Sequence, residues 1–398
     1  MKKQTLKDVE LKGKTVLMRV DFNVPIKDGK IGDDNRIVQA LESINYVVDH
    51  GAKLILMSHL GRPGGEPSTE FSLKPVADHL ETLVDTPVYF AEDCIGEKAE
   101  KVIKKAKEGE IVLLENVRFH SEEKKNDPEF AMKLATHADL FVNDAFGSSH
   151  RAHASVAGVT EFLQPSVSGF LLEKEIKYLE DSVNSPSRPF VAILGGAKVS
   201  DKIGVIENLI SKVDTIIIGG GMTYTFYRAM GLNIGDSLVE DDKTDLAKEL
   251  MKKAEEKGID FMLPIDSVVA KEFKNDAEHK VVDREGIENG WMALDIGPQS
   301  AIAFSNRIKN ARTVLWNGPM GVFEMENFAD GTFTVAEALA DATANNSAIT
   351  IIGGGDSAAA IKKAGLQDKV SHVSTGGGAS LEYLEGKELP GVASLTDR

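Results

Sequence analysis

"TIIGGGDSAAAI", residues 350–361, decides the fold: an apolar run stops at Gly353, Gly354 and Gly355, and Asp356, Ser357 and small residues follow at helical spacing. The pattern reads as a β-strand, a glycine turn and a helix start. It recurs in "VAILGGAKVSDKI", "TIIIGGGMTYTF", "TVLWNGPMGVFE" and "HVSTGGGASLEYL", all in the second half of the chain. In parallel α/β sheets such turns gather at the carboxyl edge, where helix N-termini offer free N–H groups and a partial positive charge to phosphate oxygens. A single turn of this kind is equally well a tight connection, because glycine supplies positive φ anywhere. Their repetition on one half points to a nucleotide. The phosphate-loop spacing G-x-x-x-x-G-K-[ST] is absent, and no G-x-G-x-x-G opens a helix ahead of a well-placed acid, which weakens an NAD-dependent dehydrogenase.

Working outward, short apolar runs such as Leu54–Met57 and Ile111–Leu114 alternate with longer segments of helical period such as Leu73–Leu83. This is α/β alternation around largely parallel sheets. At about 150 residues per domain, 398 residues predict two to three domains. In "GFLLEKEIKYLE", Leu172, Ile176 and Leu179 share one helical stripe, and the prolines of "DSVNSPSRP", residues 181–189, interrupt any regular element. The chain therefore divides into residues 1–170, a connecting helix and linker at 171–188, and residues 189–379, with a tail from about 380 to 398 that packs back on another part.

Lys and Arg number 46 against 62 Asp and Glu, a net charge of −16 that argues against nucleic acid or an anionic membrane as main partner. An anionic ligand must be caught by local groups. The lone cysteine, Cys94, can form no internal disulfide and fits a reducing compartment. No secretory leader or apolar span is present, so the cytoplasm is expected.

Lys198 and Lys202, four apart after Gly195 and Gly196, read as two residues on one face of a helix start. Lysine in a first turn opposes the macrodipole, and a bound polyphosphate would reverse that sign; the plainer reading is a pair of solvated charges. Asp356 suits either an N-cap or a Mg²⁺ ion already held by phosphates. Glu324 is open between a ribose contact and a surface acid.

The first half places cations after strands. "VLMRVDFNVP" leads through Asp21 and Asn23 to Arg36, "LILMSHLGRP" brings His59 and Arg62, "IVLLENVRFH" brings Arg118, and "LFVNDAFGSSHRAH" brings His150, Arg151 and His153. Arginine's planar fork suits phosphate and carboxylate, and histidine adds directed donors. Loops of this kind can converge on one pocket for a small, multiply charged acid. Each arginine alone fits a loop salt bridge as well, and the histidines fit structural or metal-binding roles, although no zinc-type spacing supports metal.

Taken in order, "VDFNVP", "SHLGRP", "LLENVRFH", "NDAFGSSHRAHAS", "GFLLEKEI", "AILGGAKVSDKI", "IGGGMTYTF", "DIGPQS", "WNGPMGVFE", "GGGDSAAA" and "STGGGASLEYLEG" resemble the phosphoglycerate kinase family along nearly the whole chain. "GGAKVSDK" with "GGGDS" is specific; Ser148 and Ser149 are a small departure. The resemblance implies two Rossmann-like lobes, each a largely parallel sheet flanked by helices, joined by a connecting helix and hinge near 168–189 and 372–378. It implies a monomer with ADP or ATP and Mg²⁺ as nucleotide and cofactor, acting on 3-phosphoglycerate and 1,3-bisphosphoglycerate. Carried over, Asp21, Asn23, Arg36, His59, Arg62, Arg118, Arg151 and His153 would hold phosphoglycerate. Lys198 and Lys202 would meet the transferring and nucleotide phosphates, Asp356 the Mg²⁺, and Gly353–Gly355 with Ser357 the phosphate-side backbone. Gly219–Gly221, Asn317 and Pro319 would line the nucleoside pocket, and Glu324 would bind ribose. Arg36, Lys198, Lys202, Gly354 and Gly377 would serve the transfer itself, Gly377 from the "STGGG" helix start.

Two rivals remain from the residues alone. A two-lobed binding protein would need no paired lysines, and an acetate or carbamate kinase would need no triose-sized pocket with four arginines.

Overall fold

The computed structural model describes residues 2–398. They form two compact units: the first runs to Lys177 and takes in Glu388–Arg398, and the second is Tyr178–Lys387.

The first unit contains β1 (Thr15–Arg19), a small hairpin of β2 (Ile26–Lys27) and β3 (Lys30–Ile31), then β4 (Lys53–Met57), β5 (Val88–Ala91), β6 (Ile111–Leu114), β7 (Leu140–Asn143) and β8 (Ser166–Ser168). Hairpin aside, these strands make one parallel sheet in the order β5-β6-β4-β1-β7-β8. The crossovers carry α1 (Asn35–Asp49), α2 (Lys74–Glu81), α3 (Gly96–Lys105) and α4 (Pro128–Ala135). A parallel sheet covered on both faces needs strands apolar on both sides, and "IVLL" of β6 is buried throughout. On α1, Ile37, Ala40, Ile44 and Val47 recur at helical spacing and join Val16, Met18, Leu54 and Leu56 in the core.

The helix α5 (Phe170–Asn184) follows β8. Asp144 accepts from the N–H groups of Leu171 at 2.9 Å and Leu172 at 3.1 Å, satisfying two donors that the first turn leaves open. Leu172, Ile176 and Leu179 are buried, and the helix continues through "DSVN" to Asn184. The expected interruption is therefore shorter than 181–189: it begins at Ser185, ahead of Pro186, which cannot extend the helix. The boundary between the units falls within α5.

The second unit contains β9 (Phe190–Leu194), β10 (Thr215–Ile218), β11 (Asp260–Met262), β12 (Asp266–Ala270), β13 (His279–Asp283), β14 (Met292–Ile296), β15 (Thr313–Asn317), β16 (Ile349–Gly353) and β17 (His372–Val373). Its helices are α6 (Ile203–Leu209), α7 (Thr223–Ala229), α8 (Thr244–Glu256), α9 (Pro298–Lys309), α10 (Asp330–Asn346), α11 (Gly355–Lys363) and α12 (Gly377–Leu384). The parallel sheet has the order β11-β10-β9-β15-β16-β17, the arrangement of doubly wound dinucleotide-binding sheets. An antiparallel sheet β13-β12-β14 is inserted beside it. Trp316 is fully buried in the core and donates its indole N–H to the carbonyl of Gly318 at 2.7 Å.

Three of the five glycine turns lead from strand to helix as read: β10 to α7, β16 to α11 and β17 to α12. The other two do not. After β9 the helix waits until Ile203, and after β15 no α-helix begins before Asp330.

A last short helix, α13 (Pro390–Ala393), belongs to the first unit. Asn143 donates to the carbonyl of Gly391 at 2.7 Å, Gly391 donates to Ser149 at 2.8 Å, and Lys3 pairs with Asp397. The packed tail begins at Glu388, whereas α12 stays with the second unit. Among the described residues no helix is long and apolar enough to cross a membrane.

Candidate functional site

The order reverses between β1 and β7 in the first unit and between β9 and β15 in the second, and α/β sheets bind ligands outside the strand ends at such points. Each unit carries a candidate site there.

In the first unit a cavity of about 1000 Å³ opens at the carboxyl edge. Asp21 and Asn23 enter it after β1, Arg36 from the first turn of α1, and His59 and Arg62 after β4. Arg118 comes from the turn after β6, and Arg151 and His153 from the segment after β7. All eight residues assigned to phosphoglycerate thus line one space, together with His150. Lys124 and Lys125 line it too and were not singled out, because "SEEKKND" reads as a solvated charge run. Against these cations the lining holds a single carboxylate, Asp21.

Arg36 and Arg118 are held in place by the protein itself. Arg36 donates to Asp21 at 3.0 Å and to the carbonyl of Asn23 at 3.1 Å. Asn23 accepts from the N–H of Gly61 at 2.9 Å, and Arg118 donates to the carbonyl of Gly61 at 2.9 Å. The Arg118 Nε–H is buried without a partner, a donor left over on a fixed guanidinium. Burial and then Arg19 push Arg118 down to about 10, so it keeps its charge at neutral pH. Burial and the neighbouring cations hold His59 well below the ordinary imidazole range and push His153 down to about 4. The 3.9 Å approach of His153 to Glu123 is then not an ion pair at neutral pH.

Sequence reading missed the layer behind this wall: Arg19, Ser155 and Glu123, all fully buried. Arg19 carried a signal, a charge inside an apolar strand, whereas Glu123 and Ser155 carried none.

In the second unit the site is built from backbone. Gly195 lies against Gly318, and a Cβ on Gly195 would meet the Pro319 oxygen at 2.1 Å. Gly220, at φ +70°, would place a Cβ 2.6 Å from the Gly196 nitrogen, and Gly219 faces Met320. These glycines are required by close packing at the strand ends. Gly355 differs, since a Cβ there would stand in open space. Asp356, exposed, occupies the first turn of α11, whose N-cap is Gly354. The Ser357 hydroxyl accepts from the N–H of Gly318 at 2.6 Å, tying α11 to the β15 turn.

Lys198 and Lys202 are not on one helical face. Gly196 adopts φ +110°, and Ser200 is bound through its N–H and hydroxyl to Glu240, so the chain turns before α6. Lys198 is exposed in that turn, and Lys202 is the N-cap of α6. Lys202 donates to the Asn317 side-chain oxygen, and burial lowers its pKa, opposed by Asp201, Asp356 and Glu385. Asn317 is buried, and its amide nitrogen lacks a partner beneath Gly353 and Gly354, 3.3 Å from where a Cβ on either would stand. Asn317 therefore lies under the triglycine turn. Gly221 packs near Leu238, Glu324 is exposed, and Gly377 begins α12 at φ +31°.

Residues 6–387 match the family model described as Phosphoglycerate kinase. The chain is 59% identical over 397 residues to the phosphoglycerate kinase of Chloroherpeton thalassium, covering 100% of both chains, and 57% identical over 399 residues to that of Thermosipho africanus, covering 100% and 99%. The solved phosphoglycerate kinase of Coxiella burnetii superposes with a TM-score of 0.89 at 41% identity, covering 98% of each chain.

Proposed function

The chain belongs to the phosphoglycerate kinase family, phosphotransferases with a carboxyl group as acceptor, and from that premise we propose a division of labour between its units. The cavity of the first unit holds 3-phosphoglycerate or 1,3-bisphosphoglycerate, and the glycine edge of the second holds ADP or ATP. The observation that carries this reading is the convergence of Arg36, Arg62, Arg118 and Arg151 on one cavity of a chain with net charge −16. Such a lining suits a small acid bearing both phosphate and carboxylate.

On the nucleotide side, the Gly353–Gly355 turn and the start of α11 present N–H groups to phosphate, and Lys202 and Lys198 add charge. Asp356 is an exposed carboxylate in that first turn, and a hard cation held by phosphates needs only one or two protein carboxylates, so the residues fit Mg²⁺. Bound there, Mg²⁺ supplies neutralisation of the phosphate oxygens.

The chemistry asks little else of the chain. In one direction an ADP oxygen attacks an acyl phosphate, and in the other a carboxylate attacks ATP. Both nucleophiles are already ionised near neutral pH, so no general base is required. What the transfer requires is in-line alignment and positive charge around the migrating phosphoryl group, supplied by Arg36, Lys198, Lys202 and the amides about Gly354 and Gly377. With the two substrates on different units, the units must approach for transfer and exclude water from the acyl phosphate. The single, buried Cys94 fits the reducing cytoplasm.

A coupled assay supplying Mg-ATP with 3-phosphoglycerate, acetate or carbamate tests the reading. Turnover with 3-phosphoglycerate alone is expected, and equal or greater turnover with acetate or carbamate would overturn it.

A further inference from the structure

Behind the cavity lies a buried chain of hydrogen bonds that reaches its wall at one atom. Arg19, at the end of β1, is fully buried and donates from Nε to the Ser155 hydroxyl at 2.8 Å and from Nη1 to the carbonyl of Val20 at 2.5 Å. Its Nη2 stands 3.1 Å from Nδ1 of His59. Ser155 in turn donates a hydrogen bond from its hydroxyl to Glu123 at 2.6 Å, and its N–H donates to the other carboxylate oxygen at 2.8 Å. Glu123 is fully buried and is the carboxylate that balances Arg19 most strongly, ahead of Asp21.

Every bond in this chain has one permitted direction. A guanidinium has only donors, and an ionised carboxylate has only acceptors. The Ser155 hydroxyl must therefore accept from Arg19 and donate to Glu123. By the same rule, Nδ1 of His59 must accept, which leaves the ring's proton on Nε2. Among the described residues no group bonds Nε2, and His59 lines the cavity.

We propose that Arg19, held by Ser155 and Glu123, is a positioning residue that locks His59 as the neutral Nε2–H tautomer, so that the cavity offers its anion a donor of fixed direction. The charged and titratable groups around His59 reinforce this: Arg19 from β1, Arg118 from the turn after β6, Arg36 from α1 and His153 all oppose a second proton on the ring. The positive charge of the cavity is thereby left to the arginines and lysines, while His59 contributes direction.

The inference rests on reading the cavity as the phosphoglycerate site, but its first test does not. In the unliganded enzyme labelled with ¹⁵N-histidine, side-chain ¹H–¹⁵N correlation spectra should show His59 neutral, protonated at Nε2, and not titrating across neutral pH. In R19M the ring should become a mixture of tautomers and begin to titrate. An Nδ1–H tautomer or an imidazolium in the wild type overturns the proposal, as does an unchanged His59 spectrum in R19M. Two further variants decide the matter if R19M does not fold. His59→Gln places an amide donor near the Nε2 position and His59→Asn places one near Nδ1. H59N should raise the KM for 3-phosphoglycerate about tenfold or more above that of H59Q. The reverse ranking overturns the proposal. Absence of 3-phosphoglycerate turnover in the wild type would instead refute the function proposed for the cavity and leave the spectra to judge His59.

Discussion

On the proposed assignment, the cavity of the first unit and the glycine edge of the second solve the same problem, an anion at the carboxyl ends of parallel strands, with different materials. One uses long cationic side chains, of which Arg36 and Arg118 are already hydrogen bonded, with the buried carboxylate of Glu123 behind them. The other uses backbone brought close by missing Cβ atoms, with Lys202 leaning on Asn317. The difference matches what the proposed function asks each site to recognise. A small acid with two charged ends must be held at several angles, which side chains can supply. A phosphate tail needs many short, parallel donors, which a helix start supplies once glycine lets it approach. A side-chain site should therefore fail by losing charge, and a backbone site by gaining atoms.

The sharpest way to break this contrast is Arg36→Ala. Arg36 bridges Asp21 and Asn23, and if it stands beside the transferring group as proposed, its removal should lower kcat by about 10³-fold or more in steady-state kinetics. Near-normal turnover would remove Arg36 from the transfer.

A paired glycine experiment comes next. Gly195→Ala pushes a Cβ into the Pro319 oxygen at 2.1 Å and should destabilise the second unit by about 3 kcal/mol or more, seen in thermal unfolding. Gly355→Ala meets open space, so the melting temperature should hold, while the KM for nucleotide rises about tenfold because the methyl occupies the expected phosphate position. Unchanged nucleotide binding in G355A would show that the open space is not where phosphate lies.

Lys202→Ala separates the units by ligand. Nucleotide affinity should fall about tenfold in calorimetric titration, while 3-phosphoglycerate affinity changes little. The opposite result would reverse the assignment of ligands to units.

The smallest effect belongs to His153. Its native pKa of about 4 lies below the unfolded value of 6.5, so the neutral ring stabilises the fold fully above pH 6.5, and that contribution is lost as the pH falls toward 4. In H153Q the loss over this acid range should be shallower by about 1–3 kcal/mol, as followed by calorimetry at stepped pH.

The glycine turns and the strand-end cations were legible because they report local facts: a strand that stops, a backbone that turns, a charge placed after apolar residues. From these the sequence pointed to all eight assigned residues of the cavity. Lys198 and Lys202 were misplaced onto a helix because the turn preceding α6 is fixed by Glu240, 40 positions from Ser200. The same limit hid the Arg19 relay, since Arg19 and Ser155 are separated by 136 positions and Glu123 sits in a run that looks solvated. The helical course of "DSVN" was also missed, because the prolines that stop α5 act only on the residues next to them. Spacing reveals what a segment does alone, and buried polar partners are chosen by the sheet.

The return of residues 388–398 to the first unit makes the second unit an insertion within the first. The Asn143–Gly391 hydrogen bond spans 248 positions, so during translation the ribosome must deliver all of the second unit before the first can complete this part of its packing. The inserted unit is thus free to mature while its host is still waiting, and the last contacts to form are those that close the shell around the host's own β7.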